Sequence, residues 1–387
     1  MNDMNQTQSS AAVLGIGTAV PPYLIDQADT ARRLVDALSD KPDSARWGRR
    51  IFKQCGVESR YTCEPNLLAE AAECRYFSSA SAEDAPSTAE RMGIYKRESV
   101  PLGLSAARQA LADGEVEPAD VTHLITVSCT GQFLPGMDAA IVQQLGLAST
   151  ITRIPLNFLG CAAGLKAIGL SRQIVLNDHA AHVLIVCVEL CTLHIQPSGD
   201  RESLFAASFF GDGASACVIG AAKPHHKPIF LLGQERSVLL PECAGEMVWE
   251  VGNHGFDLYL SPQIPKLIGE FIPAEVERLC GVEELELWAI HPGGKGIIDI
   301  LQTKFELTDE QTAHSLGILR DYGNVSSATI LFVLSAMRNH LQETGSEPVS
   351  GIALAFGPGL TAEMIKIAYV PAAIKHELEQ TVDGTYV

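Results

Sequence analysis

The sequence predicts an α/β protein that is built from two similar halves. Apolar strand-like runs alternate with helix-like segments along the chain, and the same order of elements occurs twice. Such internal self-similarity indicates a duplicated unit. The corresponding elements are the strands Leu124–Ser128 and Leu287–Ile290, the helices Cys161–Leu176 and Val325–His340, and the strands Val183–Leu190 and Gly351–Phe356.

The other elements of the first half follow from apolar runs and from the residues that interrupt them. Val13–Ala19 is an apolar run that ends at two prolines, which predicts a strand. Leu102–Asp113 has the apolar spacing of a helix, and Gly114 interrupts it. Ile151–Phe158 and Ser215–Ala221 are predicted to be extended.

A polar, proline-bearing stretch, Lys223–Pro228, predicts the boundary between the halves. The N-terminal half is then 1–222 and the C-terminal half is 223–387. Within the first half, the charged and irregular segment 32–97 is expected to form helices and loops that cover the core and border a substrate entrance. Further strands of the second half are predicted at Ile229–Gly233, Val238–Leu240 and Ile365–Val370.

The composition argues against several classes of function. The 387 residues include 46 acidic and 28 basic side chains, which gives a formal net charge of −18. Nucleic acids and anionic membranes need a basic footprint, so this chain is a poor candidate for binding either. An anionic ligand would need basic residues gathered locally around it. No apolar run reaches the ~18 residues of a membrane-spanning helix, so no membrane span is expected.

The ten cysteines are predicted to be reduced thiols rather than disulfides. The chain is long enough for a hydrophobic core of its own, and its polar start does not resemble a secretory leader. No CxxC pair is matched by a second such pair, so no metal site is expected. These features predict a cytoplasmic protein.

Cys161 is the strongest candidate for a nucleophile. It lies in Gly160-Cys161-Ala162-Ala163-Gly164, where glycine permits a bend, small residues leave room for a substrate, and a helix begins. The free amides and the positive dipole end of a helix N-terminus are expected to lower the thiol pKa. The alternative is a buried, inert cysteine that packs as a small hydrophobe, which is our interpretation of most of the other nine.

Two residues of the second half occupy positions typical of catalytic groups. His291 follows an apolar strand and begins a glycine-rich turn, at the strand end where ligands commonly bind. Asn324 stands just before a helix. Taken singly, each has an ordinary alternative, a loop histidine without a role and a helix N-cap.

The duplication makes the case for a catalytic role stronger for Cys161, His291 and Asn324 together than for each of them alone. The helices that begin at Cys161 and Asn324 would be partners across a pseudo-two-fold axis, and His291 would join them near the centre. A histidine can activate a cysteine nucleophile. Histidine and asparagine can also donate hydrogen bonds to a developing oxyanion.

Five short motifs then occur in a fixed order along the chain. They are Gly160-Cys161-Ala162-Ala163-Gly164, Phe210-Gly211-Asp212-Gly213-Ala214, His291-Pro292-Gly293-Gly294, Gly323-Asn324-Val325-Ser326-Ser327 and Phe356-Gly357-Pro358-Gly359. Together they resemble the type III polyketide synthases, the chalcone and stilbene synthase family. The resemblance runs from about Val13 to Val370. It implies a thiolase-like fold, in which α-β-α-β-α layering is built by two halves of one chain.

The resemblance also implies an activity. Cys161 would take an acyl group from an acyl-CoA starter, while His291 and Asn324 would stabilise the enolate that forms when malonyl-CoA loses carbon dioxide. The enolate would attack the Cys161 thioester, and the chain would be reloaded, extended again and cyclised. No metal or redox cofactor is needed, and the substrates are an acyl-CoA starter and malonyl-CoA.

Further roles are implied by matching positions to the family. Phe210 and Phe256 match gatekeepers between a coenzyme A tunnel and the cavity, although both are ordinary core aromatics on their own. Ser128-Cys129-Thr130-Gly131 resembles the bacterial members and, with Cys191, favours a fatty acyl starter and a pyrone or resorcinol product. Residues Phe133–Met137 match a segment that crosses a dimer interface, which implies a homodimer. Cavity positions match at Leu134, Cys191, His194, Ser326, Gly357, Pro358 and Gly359, and coenzyme A phosphate positions match loosely at Lys53 and Arg60.

Two rival functions remain at the level of sequence. A β-ketoacyl-acyl-carrier-protein synthase of the third kind uses the same three residue types but stops after one condensation. Its carrier protein is acidic, so this acidic chain would need a basic docking patch, and no basic run is evident. A non-enzymatic scaffold on the same fold would be expected to lack at least one of Cys161, His291 and Asn324.

Overall fold

A computed structural model describes residues 10–77, 84–222, 230–345 and 347–371. Its strands are β1 (Ala11–Ala19), β2 (Tyr23–Asp26), β3 (Ser59–Thr62), β4 (His123–Ser128), β5 (Thr152–Asn157), β6 (Val183–Leu190), β7 (Asp212–Ala221), β8 (Phe230–Leu239), β9 (Met247–Gly252), β10 (Gly255–Leu260), β11 (Leu287–Ile290), β12 (Val349–Gly357) and β13 (Thr361–Tyr369). Its helices are α1 (Gln27–Ala37), α2 (Pro42–Gln54), α3 (Thr88–Asp113), α4 (Met137–Leu145), α5 (Ala163–Asn177), α6 (Arg201–Phe209), α7 (Ile264–Cys280), α8 (Lys295–Phe305), α9 (Asp309–Tyr322) and α10 (Thr329–Glu343).

The main sheet shows the duplication directly. Its strand order is β11-β12-β13-β8-β1-β7-β6-β4-β5, so the strands of each half lie side by side. The halves meet where β1 pairs with β8 at Ala12–Leu231 and Val13–Phe230. In each half, the predicted repeat strands pair in parallel, β4 with β6 and β11 with β12. The thiolase-like architecture expected from the sequence is therefore confirmed.

Helices α5 and α10 lie between the two half-sheets. They contribute to one apolar core with the inner faces of strands from both halves. Outside this core, α3 covers β1, β7 and β6, while α7 packs on β8 and β13. The chain thus forms the layers expected of the fold, with the N-terminal ends of the two central helices at its middle.

The central helices α5 and α10 begin two and four residues later than the sequence pattern predicts, at Ala163 and at Thr329. A 3₁₀ turn at Gly160–Ala162 precedes α5, and another at Ser326–Ala328 precedes α10. The small residues of α5 permit this close arrangement, since a Cβ on Gly164 would lie 2.2 Å from the Ser327 carbonyl oxygen. The two turns face each other in the middle of the molecule.

Three other sequence predictions concern the strands around 229–240, the linker between the halves and the segment 32–97. The two extended pieces expected around 229–240 form one strand, β8, whose pairing with β13 shifts register between Ile365 and Ile367. The linker Lys223–Pro228 lies outside the described residues, and the division at 222/223 stays a prediction. The segment 32–97 contains α2, β3 and the start of α3 among its described residues.

Within the described part of the chain, none of the helices has the length and apolar character needed to cross a membrane. All ten cysteines are free thiols, in agreement with the sequence analysis. Nine of them are buried, whereas Cys161 keeps some exposure. This difference sets Cys161 apart from the packing cysteines of the core.

Candidate active site

The turn that carries Cys161 is shaped by contact with the other half of the chain. Gly160 has φ = 66°, a conformation that L side chains rarely adopt. A Cβ at this position would also lie 2.2 Å from Pro358 Cδ. Gly357 packs in the same place, since its Cβ would approach Ala162 Cβ to 3.1 Å. The Phe-Gly-Pro-Gly motif therefore packs against the turn that carries Cys161.

Asn324 points its amide at the nucleophile. Its Nδ2 lies 3.8 Å from Cys161 Sγ. Its Oδ1 accepts a hydrogen bond of 2.8 Å from the Ser326 N–H, which fixes the orientation of the side chain. Its backbone N–H donates to the Phe209 carbonyl at 2.7 Å, and its carbonyl accepts from Gly211 N–H at 3.0 Å. The structure thus brings two of the three predicted catalytic residues into direct contact.

His291 is held rigidly but leaves its ring free. Its backbone N–H donates to the Leu354 carbonyl at 2.8 Å, at the end of the parallel pair β11–β12. The side chain is fully buried, and neither ring nitrogen has a hydrogen-bond partner among the described residues. The ring lies beside Gly293, which lines the cavity at Cys161. Burying an imidazole without a hydrogen-bond partner lowers the free energy of unfolding. Such unsatisfied groups are typical of sites that bind a ligand.

The protonation states differ from the sequence expectation. Loss of hydration raises the pKa of the Cys161 thiol to about 11, although hydrogen bonds with Ser326 and Asn324 favour the thiolate. Burial also lowers the pKa of His291 to about 3. The expected lowering of the thiol pKa is wrong for the free protein, because desolvation of the thiolate outweighs the local polar contacts. Burial thus favours the neutral thiol of Cys161 and the neutral imidazole of His291.

Beneath Cys161 lies a buried polar network that sequence reasoning missed. Ser326 Oγ is 3.6 Å from Cys161 Sγ and 3.1 Å from Cys129 Sγ. Cys129 N–H and Thr130 O–H donate to the carboxylate of Glu189, and the Ser327 hydroxyl does so as well. Glu189 is fully buried, and burial raises its pKa. The only sequence hint was a single acidic residue in an otherwise apolar strand.

The cavity that contains Cys161 is small and apolar, and is called the inner cavity below. Its volume is about 40 Å³, and its walls include Cys129, Cys161, Cys191, Phe210, Trp249, Asn324, Ser326 and Pro358. Trp249 is a wall residue that the sequence analysis did not identify. Its Nε1–H donates to the Cys129 carbonyl at 2.7 Å, which fixes the indole in place. Phe210, Cys191, Ser326 and Pro358 line this cavity, and their roles toward a substrate stay predictions.

A second small space, the side cavity, lies behind Trp249. It has a volume of about 20 Å³ and shares Cys191, Phe210, Trp249 and Leu258 with the inner cavity. His194 borders it and is structural, because Nε2 donates to the Thr130 carbonyl at 2.6 Å and Nδ1 accepts from Phe256 N–H at 2.9 Å. The two spaces therefore lie side by side, and the indole is one of the four residues that line both.

Phe256 does not have the gatekeeper position that was predicted for it. Its ring is buried and stacks on His194 at 4.2 Å between centroids, so it borders the side cavity only. The residues between the inner cavity and the outside are Met247, Leu258, Leu260 and Ile297. Phe256 and Leu258 share one face of β10, and Leu258, two positions further along the strand, is the residue that lies beside the passage.

A larger pocket, the outer pocket, opens beyond these residues. It has a volume of about 480 Å³ and shares Met247, Leu258, Leu260, Gly293 and Ile297 with the inner cavity. Trp47, Ile51 and Gln54 of α2 form one side, in line with the expectation for segment 32–97. Its basic lining residues are Arg201 and Lys295, and the Arg201 guanidinium lies 3.6 Å from the Trp47 ring centroid.

The predicted coenzyme A contacts are not supported by the structure. Arg60 is fully buried, and its Nη1 donates to the Phe210 carbonyl at 2.8 Å. Burial lowers its pKa to about 10, and it lies out of reach of a phosphate in solvent. Lys53 projects from a different face of α2 and borders a separate groove that contains Asp26 and Glu58. The prediction for Arg60 was wrong because its side chain faces the interior, whereas the phosphate contact of the exposed Lys53 stays a prediction.

Leu134 and the glycine-proline loop also have clear positions. Leu134 is 92% exposed and does not line the inner cavity of its own chain, so its place on a cavity wall stays a prediction. Pro358 lines that cavity, while Gly357 packs against the Cys161 turn and Gly359 adopts φ = 94°. No group of three or more potential ligand side chains that could hold a metal ion occurs among the described residues.

A rigid amide beside a thiol, a free imidazole and a passage to a larger pocket define a cysteine-dependent condensing enzyme. Comparison with known proteins identifies its family. The family model for chalcone and stilbene synthases, N-terminal domain, matches residues 1–224, and that for the C-terminal domain matches residues 232–371. The chain belongs to the chalcone and stilbene synthase family, the type III polyketide synthases. Members of this family act on coenzyme A thioesters and need no other cofactor.

Individual relatives agree with this assignment. The chain is 31% identical over 361 residues to the alpha-pyrone synthesis polyketide synthase-like Pks18 of Mycobacterium tuberculosis, covering 91% of this chain and 90% of that one. It is 33% identical over 368 residues to type III polyketide synthase 21 of Oryza sativa subsp. japonica, covering 92% and 93%. The C-terminal type III polyketide synthase domain of Steely1, from a Dictyostelium type I/III hybrid, superposes with a TM-score of 0.85 at 27% identity, covering 93% of this chain and 99% of that one. These relatives favour a polyketide synthase over the ketoacyl-carrier-protein alternative.

Proposed function

We propose that Cys161 carries the growing polyketide while His291 and Asn324 hold the extender thioester. The observation that carries this assignment is the fixed Asn324 amide, whose Nδ2 lies 3.8 Å from Cys161 Sγ. An amide donor in this position can bind the oxygen of a thioester next to the nucleophile. Preorganised donors of this kind stabilise an oxyanion without reorganisation during the reaction.

His291 supplies the second donor and the base. Both of its ring nitrogens lack a protein partner, so substrate oxygens would satisfy a group that is otherwise unsatisfied. A neutral imidazole can accept the Cys161 proton as the thiol attacks the starter thioester. It can then donate an N–H to the malonyl thioester oxygen as negative charge develops on decarboxylation. One residue therefore serves both the loading and the extension step.

The inner cavity favours a short acyl starter rather than the fatty acyl starter suggested by sequence. Its volume of about 40 Å³ lies far below the ~300 Å³ at the lower end of ordinary ligand pockets. Trp249, Leu258 and Phe210 set this limit. Only a few extensions of the acyl chain fit in such a space. The product class that we propose is therefore a pyrone or a small resorcinol.

Coenzyme A thioesters would enter through the outer pocket. Its volume of about 480 Å³ is in the range of a ligand pocket, and it joins the inner cavity along the Met247–Leu258–Ile297 wall. Arg201 and Lys295 are the basic groups in its lining, and they are candidates for phosphate contacts in addition to Lys53. The passage is apolar, which suits a pantetheine arm.

A cytoplasmic homodimer is the assembly that we propose. Leu134 is a large apolar side chain that is 92% exposed at the start of the Phe133–Met137 segment, next to a cis peptide bond with Pro135. Burial of such a side chain against a second copy would remove its apolar surface from water. Sedimentation of the wild type and of Leu134→Asp is the direct test, with a shift towards monomer expected for the variant.

Product analysis tests the proposed chemistry. Purified protein is incubated with malonyl-CoA and acyl-CoA starters from acetyl to long-chain and aromatic, and products are identified by mass spectrometry. We expect multiply extended, cyclised products from the short starters. A single uncyclised condensation product, or turnover only with a carrier protein, would contradict the assignment.

Two variants connect that result to the site. Cys161→Ala should abolish product formation and acyl-enzyme formation. Cys280→Ala, which removes a buried thiol of α7 outside the inner cavity, should leave both unchanged. Full turnover by Cys161→Ala would show that another group is the nucleophile.

A further inference from the structure

Arg60 is a buried cation that contacts the backbone of a cavity residue. It belongs to the short strand β3, and its side chain is fully buried. Nη1 donates to the Phe210 carbonyl, whereas Nε and Nη2 have no hydrogen-bond partner among the described residues. Burial of a charged group is costly unless its surroundings offset the loss of hydration. The one backbone contact that Arg60 makes therefore indicates where this cation acts.

The Phe210 carbonyl begins a chain of hydrogen bonds that leads to Asn324. The peptide unit between Phe210 and Gly211 accepts from Arg60 at 2.8 Å through its carbonyl, and it donates through its N–H to the Asn324 carbonyl at 3.0 Å. Hydrogen bonds in such a chain polarise one another, and a charged donor makes a stronger bond than a neutral one. Arg60 therefore strengthens a contact that fixes the backbone of the residue whose amide lies beside Cys161.

The chain of hydrogen bonds continues past Asn324 to the start of α10. The Val325 N–H donates to Thr329 Oγ1 at 2.9 Å, and the Thr329 hydroxyl donates to the Ser326 carbonyl at 2.9 Å. The Ser326 N–H donates in turn to Asn324 Oδ1 at 2.8 Å. The backbone and the side-chain oxygen of Asn324 are thus fixed by one connected set of bonds, which leaves Nδ2 free to face the nucleophile.

The two segments that this chain joins approach each other closely. A Cβ on Gly211 would lie 2.5 Å from the Tyr322 carbonyl oxygen, and a Cβ on Gly323 would clash with the Phe209 carbonyl oxygen. Both glycines also lie against Arg60, since their Cβ atoms would come to 3.2 and 3.5 Å from Arg60 Cβ. One buried side chain therefore contacts the segment before Asn324 and the segment that Asn324 pairs with.

We propose that Arg60 is a positioning residue for condensation, which fixes Asn324 through the peptide unit between Phe210 and Gly211. The guanidinium binds that peptide unit, the peptide unit binds the Asn324 carbonyl, and the Asn324 amide binds the oxygen of the extender thioester. Arg60 itself lines neither the inner cavity nor the outer pocket. This inference rests on the proposed role of Asn324 and gives Arg60 a role in the reaction other than a coenzyme A contact.

The test measures acylation and condensation separately. Cys161 is acylated by butanoyl-CoA, the acyl-enzyme is mixed with malonyl-CoA, and both steps are followed by quenched-flow mass spectrometry. The ratio of the condensation rate to the acylation rate is the measured quantity, because a fraction of unfolded protein does not change it. Arg60→Met retains most of the side-chain volume without the charge or the donors. It should lower this ratio about 100-fold, the scale of a ~1 Å misplacement near reacting groups.

A conservative variant and a matched control accompany this substitution. Arg60→Lys keeps the charge and a donor but not the planar fork, so its ratio should lie between those of wild type and Arg60→Met. This variant also keeps the inference testable if Arg60→Met does not fold. Arg33→Met is the control, because Arg33 is buried to a similar extent and donates to the Leu67 and Ala69 carbonyls, away from the inner cavity. Its ratio should stay within about twofold of wild type, since distant sites act independently.

A double variant identifies the residue through which Arg60 acts. Asn324→Ala removes the amide that Arg60 is proposed to fix. Addition of Arg60→Met to this variant should therefore lower the ratio by less than about threefold, since coupled residues do not have additive effects. Independent action of Arg60 would lower the ratio by a further ~100-fold.

Each other outcome overturns the inference. A wild-type ratio in Arg60→Met and Arg60→Lys, with or without an equal loss of both rates, shows that Arg60 serves the fold and not the amide. A full additional loss in the double variant shows that Arg60 acts independently of Asn324. Wild-type condensation by the single variant Asn324→Ala contradicts the proposed function and the inference with it, so that variant distinguishes the two failures.

Discussion

The inner cavity and the outer pocket are adjacent but differ in volume and in the polarity of their lining residues. The inner cavity is about 40 Å³, apolar and bounded by rigid contacts such as the Trp249–Cys129 hydrogen bond. The outer pocket is about 480 Å³ and has Arg201 and Lys295 in its lining. Our proposal assigns acyl selection and the chemistry to the inner cavity and the binding of coenzyme A to the outer pocket. If this division is correct, substitutions in one space should leave the selectivity of the other unchanged.

The largest expected effect comes from the donor in the inner cavity. Asn324→Ala should lower kcat for condensation by ~100- to 1,000-fold, as loss of one oxyanion donor does in other enzymes. Acylation of Cys161 by a starter should persist, because that step has His291 as its base. Quenched assays of the acyl-enzyme measure the acylation step, and product assays measure the condensation step. Asn339→Ala, at an exposed position of α10, is the control.

Removal of the inner wall should change the acyl selectivity next. Trp249→Gly joins the inner and side cavities, so kcat/KM for a hexanoyl starter relative to acetyl should rise ~10- to 100-fold, the scale of a few methylenes in an apolar pocket. Competition between the two starters, with products counted by mass spectrometry, gives this ratio. Trp249→Phe keeps most of the ring and lacks the N–H, so it separates volume from the hydrogen bond. An unchanged ratio in Trp249→Gly would show that the chain extends elsewhere.

The protonation of the nucleophile gives a sharper test of the inner environment. Burial raises the pKa of Cys161 to about 11, so the thiolate fraction is small at neutral pH and grows with pH. The rate of iodoacetamide labelling of the free protein should therefore rise about tenfold per pH unit from pH 7 to 9.5. Labelling of Cys161→Ala provides the background. A plateau near neutral pH would mean that His291 and the helix end stabilise the thiolate after all.

The smallest effect is expected in the outer pocket. Arg201→Ala should raise KM for malonyl-CoA about fivefold, the limit for one exposed charge contact, with kcat unchanged. The KM for malonyl-pantetheine, which lacks the phosphates of the nucleotide, should not change. Arg108→Ala is the control. Equal increases for both esters would place Arg201 in the fold of the pocket rather than in phosphate recognition.

Local patterns made much of the fold predictable. The strands β4, β6, β11 and β12 are largely apolar runs, and the order of these elements indicates the duplication from the sequence alone. The motif around Cys161 and the one around Asn324 were equally visible, because glycine and small residues are required at both turns. Such features depend on neighbours in sequence, which a single chain displays.

The residues that were missed depend on neighbours in space. Glu189 appeared only as one carboxylate in an apolar strand, and its partners Thr130 and Ser327 are 59 and 138 positions away. Trp249 faces Cys129 from a hairpin with no motif of its own. Arg60 was matched to a coenzyme A phosphate position, yet it is buried and donates to the Phe210 carbonyl. The direction in which a side chain faces, its burial and its contacts with distant parts of the chain are tertiary properties. Each error arose from one of them.

The contact between Gly160 and Pro358 has a consequence for protein engineering. The bend that presents the reactive sulfur is braced by a loop nearly 200 positions later, and the amide beside that sulfur also comes from the later part of the chain. A gene divided near the middle would yield an N-terminal fragment that carries the nucleophile without its brace or its amide. Chimaeras between family members should therefore exchange the Phe-Gly-Pro-Gly loop together with the cysteine turn, and complementing fragments should regain labelling of Cys161 with the native pH profile only after they associate.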